Sequence, residues 1–215
     1  MEMIMSITSL VCIADAPMPT KYGFFHMFVY TFGHDTNEHV ALVMGSITHE
    51  ADVLVRVHSE CMTGDIFGAA NCDCGEQLQS SLQMIADVGT GILLYLRQEG
   101  RGVGLVNKLR AVNLMNEGYD TVTANLHLDL PIDSRDYAVA ASILQQWQIQ
   151  SIHLITNNPV KIAQLTAYGV TINKRIAINP TPTIHNQAYL TTKRTCMGHL
   201  YDLDALPPER HHDLE

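Results

Sequence analysis

The stretch GILLYLRQEGRGVGLVNKLRAVNLMNEG, residues 91–118, decides the fold class. It opens on GILLYL at 91–96, a short apolar run without polar alternation. A strand covered on both faces, as in a parallel sheet, reads that way. RQEGRGVG follows at 97–104, a glycine-rich loop. From 105 to 117 the apolar residues fall at helical spacing, and Gly118 stands where a helix C-cap is expected. Strand, glycine loop and helix make one unit of an alternating α/β chain.

The alternation continues downstream. Residues 134–147 read as a helix with Ser134 as its N-cap, and SIHLIT at 151–156 as a second buried strand. Asn158 caps a further helix with Pro159 at its first position, running to 168 and stopped by Gly169. Residues 170–175 close the series as a strand. Upstream, Leu78, Leu82, Ile85 and Ala86 give 76–88 a helical period. Before that, YGFFHMFVY at 22–30, then 40–47 and 53–58, read as strands joined by polar turns such as 34–37. The expected fold is therefore α/β: one domain over 1–215, a mixed sheet flanked by helices, with an N-terminal antiparallel β meander. Residues 1 to about 20 are expected to be an N-terminal extension. Those from about 180 to 215, rich in Pro and Thr at their start, are expected to be a tail that wraps the surface or a partner.

Composition bounds the function. Thirteen Lys plus Arg face 22 Asp plus Glu, a formal net charge of −9. That balance excludes a coat for nucleic acid or for an anionic membrane, so any phosphate binding must be local. The chain is 47% hydrophobic and 16% charged, as a globular protein is. A chain this long buries roughly 70% of its unfolded surface without cross-links. No apolar run approaches the roughly 18 residues of a membrane span. The opening MEMIMSITSLVCIADA lacks the basic flank of a secretory signal, and five cysteines form no disulfide framework in a chain of this size. The expectation is a cytoplasmic protein.

Three of those cysteines, Cys61, Cys72 and Cys74, fall within fourteen residues. Soft thiolates at that spacing suit zinc, and Asp73 and Gly75 mark a tight polar loop in place of a buried strand. With no fourth Cys nearby, either His58 completes a closed structural site or the fourth position stays open for water, which an open zinc activates near neutral pH. In the glycine loop, backbone N–H groups and the following helix start suit an anion, and Arg101 can clamp a phosphate. The loop lacks a Walker ending and the spacing of a dinucleotide fingerprint. Asp133-Ser134-Arg135-Asp136 reads on composition as helix-start charges. Thr156-Asn157-Asn158-Pro159 with Lys161 is either a plain cap or part of a ligand site at a strand's carboxyl end.

As an ordered set, RVHSECMTGDIFG (56–68), CDCGEQL (72–78), residues 91–111, GYDTVTAN (118–125), DSRDY (133–137), LITNNPVK (154–161) and CMGHL (196–200) resemble GTP cyclohydrolase II over about residues 21–198. The resemblance implies a homodimeric zinc enzyme of riboflavin biosynthesis. Such an enzyme opens the imidazole ring of GTP, releases formate from C8 and pyrophosphate from the triphosphate, and leaves a diaminopyrimidinone ribosylamino phosphate. It implies one Zn²⁺ per chain on Cys61, Cys72 and Cys74, with His58 in the pocket wall, and Mg²⁺ accompanying the triphosphate. By the same resemblance Arg56, Val57, His58, Ser59 and Glu60 line the GTP site, with Gln77, Glu99, Gly100, Arg101, Thr121, Thr156 and Lys161 as further nucleotide contacts. Asp133 takes the role of proton acceptor and Arg135 that of nucleophile toward the α-phosphate, with charge stabilisation as the alternative for Arg135.

The chemistry asks for the same groups. Attack at C8 needs activated water, hence a metal. The guanine edge needs a carboxylate such as Glu99 or Glu60, and the triphosphate needs cations, supplied by Arg56, Arg101, Arg135 and Lys161. At one position the sequence departs from the family: Arg110-Ala111 is followed by Val112, where the family usually has Tyr. A valine cannot donate a proton, so a variant that stops at the formylamino product is one alternative. A catalytically silent nucleotide-binding homologue is another. From the length, the expectation is a chain without the added domain that makes dihydroxybutanone phosphate.

Overall fold

A computed structural model of the chain describes residues 10–201. Seven strands form one mixed sheet: β1 (Leu10–Thr20), β2 (Gly23–Phe32), β3 (His39–Met44), β4 (Val53–Ser59), β5 (Gly91–Leu96), β6 (Ile152–Ile155) and β7 (Ile172–Ile176). Their order is β1-β2-β3-β5-β4-β6-β7. The pairs β1–β2, β2–β3 and β3–β5 are antiparallel, so the N-terminal meander is present but its strands differ: residues 10–20 open it, whereas 53–58, read as its last strand, form β4 inside the parallel part of the sheet. The pairs β4–β5, β4–β6 and β6–β7 are parallel. Helices α1 (Met62–Asp65), α2 (Cys74–Val88), α3 (Gly104–Asn116), α4 (Thr121–His127), α5 (Ala138–Gln146), α6 (Pro159–Ala167) and α7 (Gln187–Met197) complete the described residues, with a 3₁₀ turn at Glu99–Gly102.

The apolar runs explain the layering. Strands β4 and β5 are buried on both faces, so alternate residues feed two cores. Val55, Val57, Ile92, Leu94 and Leu154 join Ile143 and Leu144 of α5 and Leu165 of α6 on one side. Leu54, Leu93 and Ile155 join Leu82 and Ile85 of α2 on the other. The chain leaves β4 for β5 on one flank and returns to β6 on the other, so the strand order reverses at β4. In an open α/β sheet a crevice opens beyond the carboxyl ends of the strands at such a point.

Several expectations need correction. Residues 10–20, assigned to an extension, are an edge strand paired with β2 from Leu10↔Phe32 to Thr20↔Gly23, with a bulge at Cys12/Ala14. Pro17 and Pro19 are tolerated there because an edge strand has donors to spare. The helix expected from Ser134 begins at Ala138, because Ser134 is committed elsewhere: its N–H and Oγ both donate to the carbonyl of Arg101, at 3.0 and 3.1 Å. The N-cap position falls on Tyr137, and Asp136 just before it accepts from the Ala138 N–H at 2.6 Å. Helix α4, capped by Asp120, went unread in the sequence, as did α7 inside the expected tail. The rest of the expected termini, residues 1–9 and 202–215, lies outside the described residues.

Candidate active site

The crevice at the strand reversal is a cavity of about 340 Å³. Of the metal, nucleotide and catalytic residues that the resemblance implies, all but Val57, Thr121 and Asp133 line it. Val57 turns its side chain into the core and offers its carbonyl, which accepts from Lys161 Nζ at 2.5 Å. Thr121 opens α4, and its side chain lies outside the described ones. Asp133 stands behind Arg135.

The carboxyl end of β4 supplies one wall. Arg56 is buried, donating to the Ile155 carbonyl at 3.1 Å and to Gln77 Oε1 at 2.6 Å. His58 is 2% exposed and faces Asp65, 3.0 Å from its Oδ1. Asp65 also accepts from Tyr95 OH and from the Cys61 N–H. Burial pushes the His58 imidazole below its ordinary pKa. The ring is thus held in the wall, and His58 is not a fourth ligand in this geometry. Ser59 accepts from Gln98, and Glu60 Oε2 pairs with Arg97.

The three cysteines stand at the neighbouring corner. Their sulfurs lie within 4.8 Å of one another, with Cys61 and Cys72 at 3.9 Å, and none is in a disulfide. A tetrahedral zinc with Zn–S of 2.3 Å needs sulfurs about 3.8 Å apart, so donor type and spacing both fit that ion. Glycine makes the cluster possible: a Cβ on Gly64 would sit 2.7 Å from Cys72 Sγ and 3.3 Å from Cys61 Sγ. A Cβ on Gly75 would collide with the Gly64 carbonyl.

The glycine loop forms the opposite wall. Gly100 and Arg101 both lie in the left-handed region, with φ of 63° and 60°. Glycine bears this freely, whereas for Arg101 it costs roughly 1–2 kcal/mol. Ser134 holds the Arg101 carbonyl in place, and a Cβ at Gly102 would lie 2.5 Å from Ser134 Oγ. Arg101 Nη1 is buried without a partner among the described residues. A strained backbone that holds an unsatisfied guanidinium nitrogen beside a cavity is chemically suited to an anion. Both Glu99 oxygens are engaged: Oε2 by the Met62 N–H at 2.7 Å, Oε1 by the Gly100 N–H at 2.8 Å and by Lys108 Nζ at 2.9 Å.

Asp133 and Arg135 form a bidentate pair, Nε to Oδ1 at 2.8 Å and Nη2 to Oδ2 at 2.5 Å. Burial opposes both charges, but each partner more than offsets it, holding the carboxyl below its ordinary pKa and the guanidinium above. Thr156 Oγ1 accepts from the Asn158 N–H, and Asn158 caps α6. Lys161, 5% exposed, lies 5.2 Å over the Tyr137 ring. Its pKa falls far below that of an ordinary lysine, through burial first and then through Arg56, Arg135 and Lys193. Buried cations without counter-charges are what an incoming polyanion would satisfy.

The sequence reading missed Lys108 and the wall built by α7. Lys193 Nζ reaches Asp73 Oδ1 at 2.6 Å, with Tyr189 beneath it at 4.3 Å. His199, its imidazole pushed by burial down to about 3, also lines the cavity. Only the closing CMGHL carried any signal for that wall.

The family model described as GTP cyclohydrolase II matches residues 11–177. The riboflavin biosynthesis protein RibBA of Salinispora tropica is 49% identical over 87% of this chain and 47% of its own. RibBA of Bacillus cereus is 50% identical over 88% and 48%. A rice protein described as probable monofunctional riboflavin biosynthesis protein RIBA 3, chloroplastic, is 49% identical over 89% of this chain and 36% of its own. The chain thus spans about half the length, or less, of these curated relatives. Among solved structures, RibBX, a two-domain 3,4-dihydroxy-2-butanone 4-phosphate synthase from A. baumannii, aligns at a TM-score of 0.47 and 16% identity, over 79% of this chain and 41% of that one.

Proposed function

Because this chain belongs to the GTP cyclohydrolase II family, we propose that it hydrolyses GTP as the first step of riboflavin biosynthesis. The imidazole ring opens at C8, formate and pyrophosphate leave, and a diaminopyrimidinone ribosylamino phosphate remains. The observation that carries this reading is the meeting of unlike groups in one cavity: three thiols at one corner, and Arg56, Arg101, Arg135 and Lys161 around the rest. The first suits a Lewis acid and the second a triphosphate.

Zinc on Cys61, Cys72 and Cys74 would supply activation of water at neutral pH. Arg101 and the left-handed loop receive the phosphates, with Lys161 at the start of α6 facing them. Magnesium would travel with the triphosphate. The bidentate Asp133 pair keeps Arg135 protonated, which favours it as a charge clamp at the α-phosphate over a nucleophile. Glu99 is committed to three donors of its own chain, which leaves Glu60 as the better carboxylate for the guanine edge. Homodimeric assembly and a cytoplasmic place belong to the same proposal. Among the described residues no helix is long and apolar enough to cross a membrane.

A second reading rests on Val112, which lines the cavity with Ala111 and Met115 on the face of α3 where the family usually carries Tyr. On that reading the ring opens but the formyl group stays. One experiment separates the readings: incubate the zinc-loaded protein with GTP, then measure formate, pyrophosphate and nucleotide mass together. Stoichiometric formate supports the full reaction, and a formylated nucleotide supports the variant. GTP binding without turnover would sink both and leave a silent homologue.

A further inference from the structure

We propose that Lys108 is a positioning residue for the three-cysteine centre: its ammonium holds the Cys61 sulfur and counters the charge of the thiolates, while Glu99 holds the ammonium. This rests on the metal-binding part of the reading above and not on the identity of the substrate.

The geometry is specific. Lys108 Nζ lies 3.1 Å from Cys61 Sγ, 2.8 Å from Thr63 Oγ1 and 2.9 Å from Glu99 Oε1. An ammonium has three donors, and all three have an acceptor here. The side chain is 20% exposed and its partner Glu99 10%, so solvent screens the group only in part. Lys108 comes from α3, whereas Cys61 caps α1, Cys72 lies in the loop before α2 and Cys74 opens α2. It is therefore an outside brace on the thiol loop.

Charge supplies the reason. Three thiolates and one divalent cation leave one excess negative charge in a half-closed crevice, and the ammonium, shared with Glu99, sets a positive charge directly against the Cys61 sulfur. Glu99 keeps its two backbone donors, from Met62 and Gly100, whether or not the lysine is there. Those same bonds tie the glycine loop to the start of α1, immediately after Cys61. The brace thus fixes the metal corner and the anion-binding loop to one another. Groups that orient ligands from outside the coordination shell are worth about 10–100-fold in metal affinity.

The test compares the wild type with Lys108→Met, Lys108→Gln and Lys108→Arg in the 215-residue chain. Zinc affinity is read by competition with a colorimetric chelator, and the cobalt-substituted proteins are read by their sulfur-to-cobalt charge-transfer absorption. Lys108→Met should weaken zinc about 10–100-fold and shift the cobalt band, because one sulfur loses its hydrogen bond. Lys108→Arg should restore most of both. Should Lys108→Met not fold, Lys108→Gln, which keeps a donor and drops the charge, is expected to give a smaller loss in the same direction. A role in helix packing alone would lower thermal stability yet leave the chelator curve and the cobalt band unchanged, and that result overturns the proposal. A wild type that takes up neither zinc nor cobalt overturns the metal reading and this inference together.

Discussion

Arg101 shows at one residue how a site can work against its own fold. Its φ of 60° favours glycine, and Nη1 is buried without a partner among the described residues. Replacing it by glycine removes strain of roughly 1–2 kcal/mol and adds roughly 0.5–1 kcal/mol of chain entropy. Arg101→Gly is thus expected to unfold no sooner in denaturant than the wild type while binding GTP more weakly. Guanosine binding should fall less, since the lost contact is to phosphate. Equal losses for the two ligands, or a drop in stability, would assign the arginine a structural role. Val112 is the other informative side chain. Expelling formate from a formamide requires a proton on a poor leaving group, and losing a positioned donor costs about 10²–10⁴-fold. If Val112 limits that step, Val112→Tyr should raise formate per nucleotide opened. Stoichiometric formate from the wild type, unchanged in the variant, would show that valine merely packs.

At the scale of elements, what could be read locally was read. β5 and α6 appear almost residue for residue, because an unbroken apolar run and an Asn-Pro cap carry their own signal. β1 could not be read, since most of its residues are exposed and leave no alternation. The start of α5 misled because Ser134, a good cap by type, is held by the Arg101 carbonyl 33 residues away. The candidate site divides along the same line. Cys61, Cys72 and Cys74 announce themselves by spacing, whereas Lys108 meets Cys61 across 47 residues and leaves no local trace. Two glycines turn these long-range contacts into an experiment. A Cβ at Gly64 strikes Cys72 Sγ, and one at Gly102, where φ is 89°, strikes Ser134 Oγ. Overpacking of this kind costs about 1–3 kcal/mol. Gly64→Ala should lower zinc content, and Gly102→Ala should lower turnover with zinc content intact, because it displaces Ser134 beside Arg135. Loss of zinc in both variants would mean that the two loops are not separate devices.

On the scale of the whole molecule, the site closes only when the last described helix, α7, returns to the thiol loop before α2. The family match ends at residue 177, yet α7 begins at Gln187 and carries Lys193 onto Asp73, between two of the thiols. This contact spans 120 residues, and both side chains are nearly or fully out of water, at 10% and 0% exposure. Asp73 also accepts from Gln77, which in turn accepts from Arg56, so one buried hydrogen-bonded chain joins α7 to the thiol loop and to β4. Burial alone would raise the Asp73 carboxyl, and Lys193, together with the hydrogen bonds from the backbone and Gln77, more than reverses that. Such a pair adds little over a hydrophobic substitute, but removing one partner strands a buried charge at about 3–5 kcal/mol. Lys193→Met should therefore unfold at clearly lower denaturant than the wild type. The double variant Lys193→Met with Asp73→Asn should recover much of the difference, since it leaves no charge behind. The measurement is a double-mutant cycle in denaturant. Additive losses would mean that the two side chains act independently, and that α7 is held to the site by its apolar contacts alone.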